Sequence, residues 1–199
     1  AFNTPDKFHI GSVGQPLDVN HLIFTDENEI VINRQYPLSK GYFECKEGED
    51  TQTFRPDGTI ATGDIGYLDD QGFLHLNGRK KDIIITSAGV KLHPAEIEQA
   101  LTDSNLFSQI AVFYSESRSC LCAVIVTGHK EEEMSEILEE KIEQHFDRYN
   151  ANAPAYKKVP VIIYSDDEFS ASNNLMTQNL KLNRTGIYQR FEQQTTSHI

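Results

Sequence analysis

Thr62-Gly63-Asp64-Ile65-Gly66-Tyr67-Leu68 sets a carboxylate between two glycines. A carboxylate so placed at a strand edge can accept two hydrogen bonds from a vicinal diol, such as the hydroxyls of a ribose. Ten residues after that stretch begins Gly78-Arg79-Lys80-Lys81-Asp82, where an Arg beside a Gly can reach the same sugar or a phosphate. Thr86-Ser87-Ala88-Gly89 then supplies small residues whose backbone a ligand can approach closely. Each stretch also has an ordinary reading. Asp64 could be a turn acceptor, and Arg79 to Asp82 a charged linker between domains. Spacing alone therefore describes a candidate nucleotide site and no more.

Other chemistry-bearing residues point elsewhere. Cys120-x-Cys122 has the form of a metal half-site, but no second half occurs. Strand alternation puts both thiols on one face, where free cysteines are commonly buried. Three cysteines are too few for a secreted disulfide framework. His75 reads as a surface or half-buried strand residue rather than a ligand, so no metal site is expected. Asn183-Arg184-Thr185 has the form of a glycosylation triplet, which means little without a sign of secretion.

The elements that position these residues fall into two compositions. From Gly11 to Gly78 short strands alternate with turn chemistry. Glu29 to Ile32, Gly41 to Glu44 and Phe73 to Leu76 read as strands, and Lys46 to Asp50 as a solvated acidic loop. Pro56-Asp57-Gly58 and Asp69-Asp70-Gln71-Gly72 read as turns. After Arg79 the character changes. Strands are expected at Asp82 to Thr86, Gln109 to Tyr114, Leu121 to Thr127 and Val159 to Tyr164. Pro94 suits the first position of a helix running to Leu101. A second helix is expected from Glu131 to about Tyr149, with Met134, Ile137, Leu138, Ile142, Phe146 and Tyr149 as its buried stripe. A third should close the chain from Thr185 to Phe191. The fold class is α+β: an antiparallel β subdomain, then a compact C-terminal domain whose small sheet is packed by helices. The expected division is 1–78 and 79–199, with a hinge near 79–82.

Composition excludes several partners. Lys and Arg total 18 against 30 Asp and Glu in 199 residues, a net charge of −12. Phosphate-backbone binding and attraction to anionic lipid both need the opposite sign, so neither nucleic acid nor a charged membrane surface is expected. No run approaches the roughly 18 apolar residues of a transmembrane segment. The first residues lack a signal-peptide pattern and an initiator Met, so a cytoplasmic piece of a longer chain is expected.

The order of motifs is more specific than any one of them. Thr-Gly-Asp-x-Gly-Tyr, Asp-x-x-Gly, Gly-Arg-x-Lys-Asp, Ile-Ile-Thr-Ser-x-Gly and Pro-Ala-Glu-Ile-Glu together closely resemble the adenylate-forming superfamily of acyl-CoA synthetases. The resemblance runs from about Gly11 to Arg184 and is densest from Thr62 to Glu98. Leu175 to Arg184 resembles the family's C-terminal lysine motif. Most members have Gly before that Lys; this chain has Leu180, in the Thr-x-x-Leu-Lys form common among long-chain fatty acyl-CoA synthetases. The resemblance implies that Asp64 holds the ribose of ATP or of the acyl-adenylate, with Arg79 assisting. It implies that Lys81 is the hinge of a rotating C-terminal domain and that Ser87, Ala88 and Gly89 line the pantetheine channel. Lys181 would be the catalytic lysine of adenylation, a cation offsetting charge that grows on the α-phosphate; taken alone it is an ordinary exposed lysine.

The family's phosphate-binding loop and its magnesium-binding Glu motif do not occur in this sequence. By resemblance, the chain is then the C-terminal part of an AMP-forming fatty acid–CoA ligase, inactive by itself. ATP, CoA and a fatty acid would be the substrates. ATP and Mg²⁺ would be held mainly by a missing N-terminal domain, and the longer parent could sit peripherally on a membrane. Two further readings fit the motifs: an acyl-AMP ligase that loads a carrier protein, and a free-standing binding module without catalysis.

Overall fold

The computed structural model describes residues 1–33, 41–43, 50–102, 106–128 and 135–193. The chain divides into two compact units, Ala1–Lys81 and Asp82–Ile199.

The first unit is an antiparallel sheet of β1 (Leu22–Phe24), β2 (Glu29–Ile32), β3 (Ile60–Leu68) and β4 (Leu74–Arg79), in that spatial order. Ile30, Val31, Ala61, Ile65, Phe73 and Leu74 form its buried apolar set. The turn between β3 and β4 is built by Asp69, whose Oδ1 accepts from the backbone N–H groups of Gln71 (3.0 Å) and Phe73 (2.8 Å). The N-terminal segment is bound to β4 by two backbone bonds, Val13 N–H to the Leu74 carbonyl (2.8 Å) and Leu74 N–H to the Gly14 carbonyl (3.0 Å). The strand expected at Gly41 to Glu44 does not form over Gly41–Phe43. The Tyr42 N–H is taken by the Asp50 carboxylate at 3.0 Å, a side-chain partner in place of a ladder. Glu44, Cys45 and the acidic run through Glu49 lie outside the described residues.

The second unit begins with a short hairpin, β5 (Ile84–Ile85) and β6 (Lys91–Leu92), then α1 (Pro94–Leu101). A three-stranded sheet follows, β7 (Gln109–Ser115), β8 (Cys120–Val126) and β9 (Val161–Tyr164), with α2 (Glu136–Asn152) between β8 and β9 and α3 (Arg184–Phe191) last. Strands β7 and β8 are antiparallel, whereas β9 runs parallel to β8. That parallel return requires a long connection, which α2 supplies. The central strand β8 sends Leu121, Ala123 and Ile125 into a core with Ile97 and Leu101 of α1 and Ile142 and Phe146 of α2. Its alternate residues Cys122, Val124 and Val126 enter a second core with Phe169, Leu175, Ile187 and Phe191. Helices and loops thus cover both faces, and Cys120 and Cys122 lie on the α3 side. Burial pushes the Cys122 thiol up to about 12.

Two expectations about this unit change. The β5–β6 pair is a hairpin, where one strand was expected. Helix α2 starts at Glu136, capped by the Ser135 hydroxyl accepting from Leu138 N–H at 3.3 Å. Its buried face is Ile142 and Phe146, with Leu138 and Tyr149 packed at the margin. Ile137 is 66 % exposed, because it precedes Phe146 by two and a half turns and so faces the opposite side. Met134 lies outside the described residues. Among the described residues, no helix is long and apolar enough to cross a membrane.

Candidate functional site

Asp64 owes its position to a bulge. Along the β2–β3 ladder Val31 pairs with Ala61, yet Glu29 pairs with Ile65, so Thr62 to Asp64 bow out of register. Gly63 takes φ +71 there, a conformation that glycine adopts without a Cβ clash. The Thr62 hydroxyl stitches the bulge, donating to the Ile30 carbonyl at 2.7 Å and accepting from Asp64 N–H at 3.1 Å. Asp64 therefore sits inside a central strand, not at a strand edge and not in a turn. Across β3–β4 it pairs with Arg79, and Arg79 Nε lies 3.0 Å from Asp64 Oδ1. Both side chains remain partly exposed and open to a ligand.

Arg79 also lines a cleft of about 690 Å³ shared with Arg55, Lys80, Lys81, Thr62 and Gly63. Glu29, buried at its wall, holds Lys80 Nζ at 3.1 Å and lies 3.6 Å from Arg55. Hydrogen bonds to Glu29 and Glu27 raise the Lys80 ammonium above its usual range, so it stays charged. Four cations line the cleft, Arg55 and Lys80 of them at the buried Glu29 carboxylate, and such a lining suits a phosphate-bearing ligand. The same donor set fits a divalent cation poorly. Arg79 is the last residue of β4, and Lys80–Asp82 make a single 3-10 turn. Lys81 is exposed.

In the second unit, Thr86 to Val90 form the tip of the β5–β6 hairpin. Gly89 N–H donates to the Thr86 carbonyl at 2.8 Å, and Gly89 takes φ +77. Ser87 is tied by Tyr114 of β7: the two hydroxyls lie 2.8 Å apart, and Ser87 N–H donates to the phenol oxygen at 3.3 Å. These bonds lower the Tyr114 phenol below its ordinary value. Ser87, Ala88 and Tyr114 line a cleft of about 410 Å³ with Cys120, Tyr156 and Lys158.

Lys181 stands on another hairpin of the same unit. Met176 bridges Leu182, and the turn is closed by Leu180 N–H to the Thr177 carbonyl (2.9 Å) and Thr177 N–H to the Lys181 carbonyl (2.7 Å). Leu180 takes φ +55 and is exposed. That left-handed geometry explains why Gly suits the position before the lysine. Just beyond, Arg184 opens α3 and locks onto α1. Its Nη1 and Nη2 donate to Glu98 Oε1 (2.7 Å) and Oε2 (2.9 Å), while Nε lies 3.7 Å from Asp82. Burial works against this guanidinium's charge, but Glu98 and Asp82 outweigh it, and its pKa is raised. Glu98 Oε1 also accepts from Val112 N–H of β7 at 2.8 Å. Lys181 is exposed, and no carboxylate pairs with it among the described residues.

Of the residues singled out from sequence, Asp64 and Arg79 meet in the first unit, with Lys81 in the neighbouring cleft. Ser87 and Ala88 share a cleft in the second, and Lys181 occupies a separate loop there. Sequence reasoning missed Tyr114, Arg55, Glu29 and the Glu98–Arg184 pair. Pro-Ala-Glu-Ile-Glu and the lysine motif contain the two ends of that last pair, but no spacing rule joins them.

The model of the AMP-binding enzyme C-terminal domain matches residues 81–197. The long-chain-fatty-acid–CoA ligase FadD15 of Mycobacterium tuberculosis is 38% identical over 112 residues, covering 56% of this chain and 18% of that protein. The 2-succinylbenzoate–CoA ligase of Bacillus cytotoxicus is 31% identical, over 86% of this chain and 36% of that protein. The chain thus spans well under half the length of these relatives. The crystal structure of the anthranilate CoA ligase AuaEII in complex with anthranoyl-AMP superposes with a TM-score of 0.71 and 20% identity, over 98% of this chain and 36% of that one, which shows a shared fold. With the matched model spanning more than half of its residues, the chain belongs to the AMP-binding enzyme C-terminal domain family.

Proposed function

We propose that the chain is the C-terminal part of an AMP-forming acid–CoA ligase whose acid is a fatty acid. The observation that carries this reading is the Asp64–Arg79 pair, set by the β3 bulge beside a cleft with four cations. In the proposal Asp64 accepts the ribose hydroxyls of the nucleotide, and Arg79 orients that carboxylate and contributes positive potential. Lys181 neutralises charge developing at the α-phosphate as the carboxylate attacks. Ser87, Ala88 and Gly89 form the wall along which the pantetheine arm of CoA passes. Lys81 and its neighbours act as the hinge between 1–78 and 79–199. ATP and CoA are the co-substrates; Mg²⁺ is assigned to residues outside this chain, because the cleft beside Arg79 offers cations rather than clustered oxygens. FadD15's name supports a fatty acid, and the Thr-x-x-Leu-Lys form points the same way.

The test uses the longer protein that contains this chain and measures each half-reaction. Lys181→Ala should slow adenylate formation by about 10²–10³ and leave transfer from supplied acyl-AMP to CoA nearly intact. Ala88→Leu should impair transfer alone. It is a cleaner probe than Gly89→Leu, since any side chain at a φ of +77 is strained. Equal slowing of both steps by Lys181→Ala would overturn its assignment. A panel of long-chain and aromatic acids decides the acid, because the 2-succinylbenzoate ligase match favours the second. Efficient loading of a carrier protein but not of CoA would replace the CoA reading.

A further inference from the structure

We propose that His9, Asp69 and His75 form a binding site for a zinc-class divalent cation on the first unit. His9 Nδ1 and His75 Nε2 approach the same carboxylate oxygen, Asp69 Oδ2, at 3.2 and 3.0 Å. The three candidate ligand atoms all lie within 4.8 Å of one another. A tetrahedral zinc with ligands at about 2.0–2.1 Å has ligand–ligand edges of roughly 3.3 Å. The two edges at Asp69 are within a few tenths of an ångström of that and the His9–His75 edge is under 4.8 Å, so a cation can enter as the two imidazoles close on it.

Each ligand is held by a separate device. Asp69 spends Oδ1 on the Gln71 and Phe73 amides, which fixes the carboxylate and leaves Oδ2 as a single donor. His75, opposite Tyr67 in the β3–β4 ladder, has its ring stacked on the Tyr67 ring with centroids 5.0 Å apart. His9 comes from the N-terminal segment; its N–H donates to Asn3 Oδ1 at 3.3 Å and its ring packs on Phe73. His9 and His75 meet edge to face at 5.4 Å, with one nitrogen of each at Asp69 Oδ2. Packing and second partners of this kind orient metal-binding imidazoles and carboxylates.

The donor set also selects the ion. Two imidazoles and one carboxylate suit Zn²⁺ or Co²⁺, whereas Mg²⁺ and Ca²⁺ prefer oxygen alone. His9 is exposed, which leaves a fourth position for water. The bound ion would pin the N-terminal segment to the β3–β4 hairpin, joining residues 60 and more positions apart. The site shares no residue with the basic cleft and does not depend on the proposed ligase activity.

The experiment titrates Co²⁺ into the untagged, chelator-treated 199-residue chain and follows visible absorption. One equivalent should give the intense ligand-field bands of low-coordinate Co²⁺, which Zn²⁺ then abolishes by displacement. His9→Ala, His75→Ala and Asp69→Asn should each weaken binding at least about tenfold, since even indirect partners of a metal are worth that much. His21→Ala, at a ring that pairs with Asp18 and lies outside the three-residue cluster, should leave it unchanged. His9→Ala is the decisive variant because an exposed side chain can be removed without unfolding the sheet. The proposal is overturned if no band develops, if Mg²⁺ competes as well as Zn²⁺, or if His9→Ala and His75→Ala bind as the parent does.

Discussion

Removing Glu98 tests whether α1, β7 and α3 are joined by one carboxylate. Its two oxygens accept from Arg184 Nη1 and Nη2 at 2.7 and 2.9 Å and from Val112 N–H at 2.8 Å. Breaking a buried ion pair by deleting one partner costs about 3–5 kcal/mol, and a buried amide left without its acceptor about 1–3 kcal/mol. These costs overlap, and Arg184 keeps Asp82 at 3.7 Å and the Val112 carbonyl at 3.4 Å from Nη1. Glu98→Ala should therefore destabilise the second unit by about 2–4 kcal/mol. Glu98→Gln retains an oxygen for the Val112 amide but loses the charge, so about 1–2 kcal/mol is expected. Urea unfolding followed by tyrosine signals gives the totals, and amide exchange at Val112 gives the local effect. Exchange there should accelerate strongly in the Ala variant and only modestly in the Gln variant. The reasoning fails if Glu98→Ala costs under about 1 kcal/mol, or if the two variants lose the same amount.

Three further outcomes are expected. Leu180→Gly should stabilise the chain by about 0.5–1 kcal/mol, because the left-handed penalty of about 1–2 kcal/mol exceeds glycine's entropic cost of about 0.5–1 kcal/mol; a lower urea midpoint would contradict this. Because burial raises the Cys122 thiol, the folded state holds a proton that the unfolded chain releases first. Stability should be complete below the free-thiol value of about 8.5 and fall as pH climbs toward about 12, and Cys122→Ala should flatten that decline in unfolding midpoints. If Lys80–Asp82 is a hinge, trypsin should cut first after Lys81, since Lys80 is engaged by Glu27 and Glu29; earlier cuts at Arg118 or Lys157 would count against it.

Contiguous constraints were readable from the chain itself. Alternating and continuous apolar runs announced β2, β7 and β8, because burial on one or both sheet faces imposes a period on neighbouring residues. Pro94 marked the start of α1, whereas the bulge at Thr62-Gly63-Asp64 went unread, Asp64 having been expected at a strand edge or in a turn. Motif order from Thr62 to Glu98 was enough to suggest the family. Periodicity reports which residues are buried, however, and not what they meet. The strand expected at Gly41 gave way to an Asp50 side chain that no local pattern reveals. Ile137 left the buried stripe because, two and a half turns before Phe146, it faces the opposite side of α2. Arg184 finds Glu98 from 86 positions away, Ser87 finds Tyr114 from 27, and His9 joins Asp69 and His75 only once the N-terminal segment lies on β4. Those meetings follow from how strands register and layers stack, and sequence spacing holds no record of distances that only closure of the fold creates.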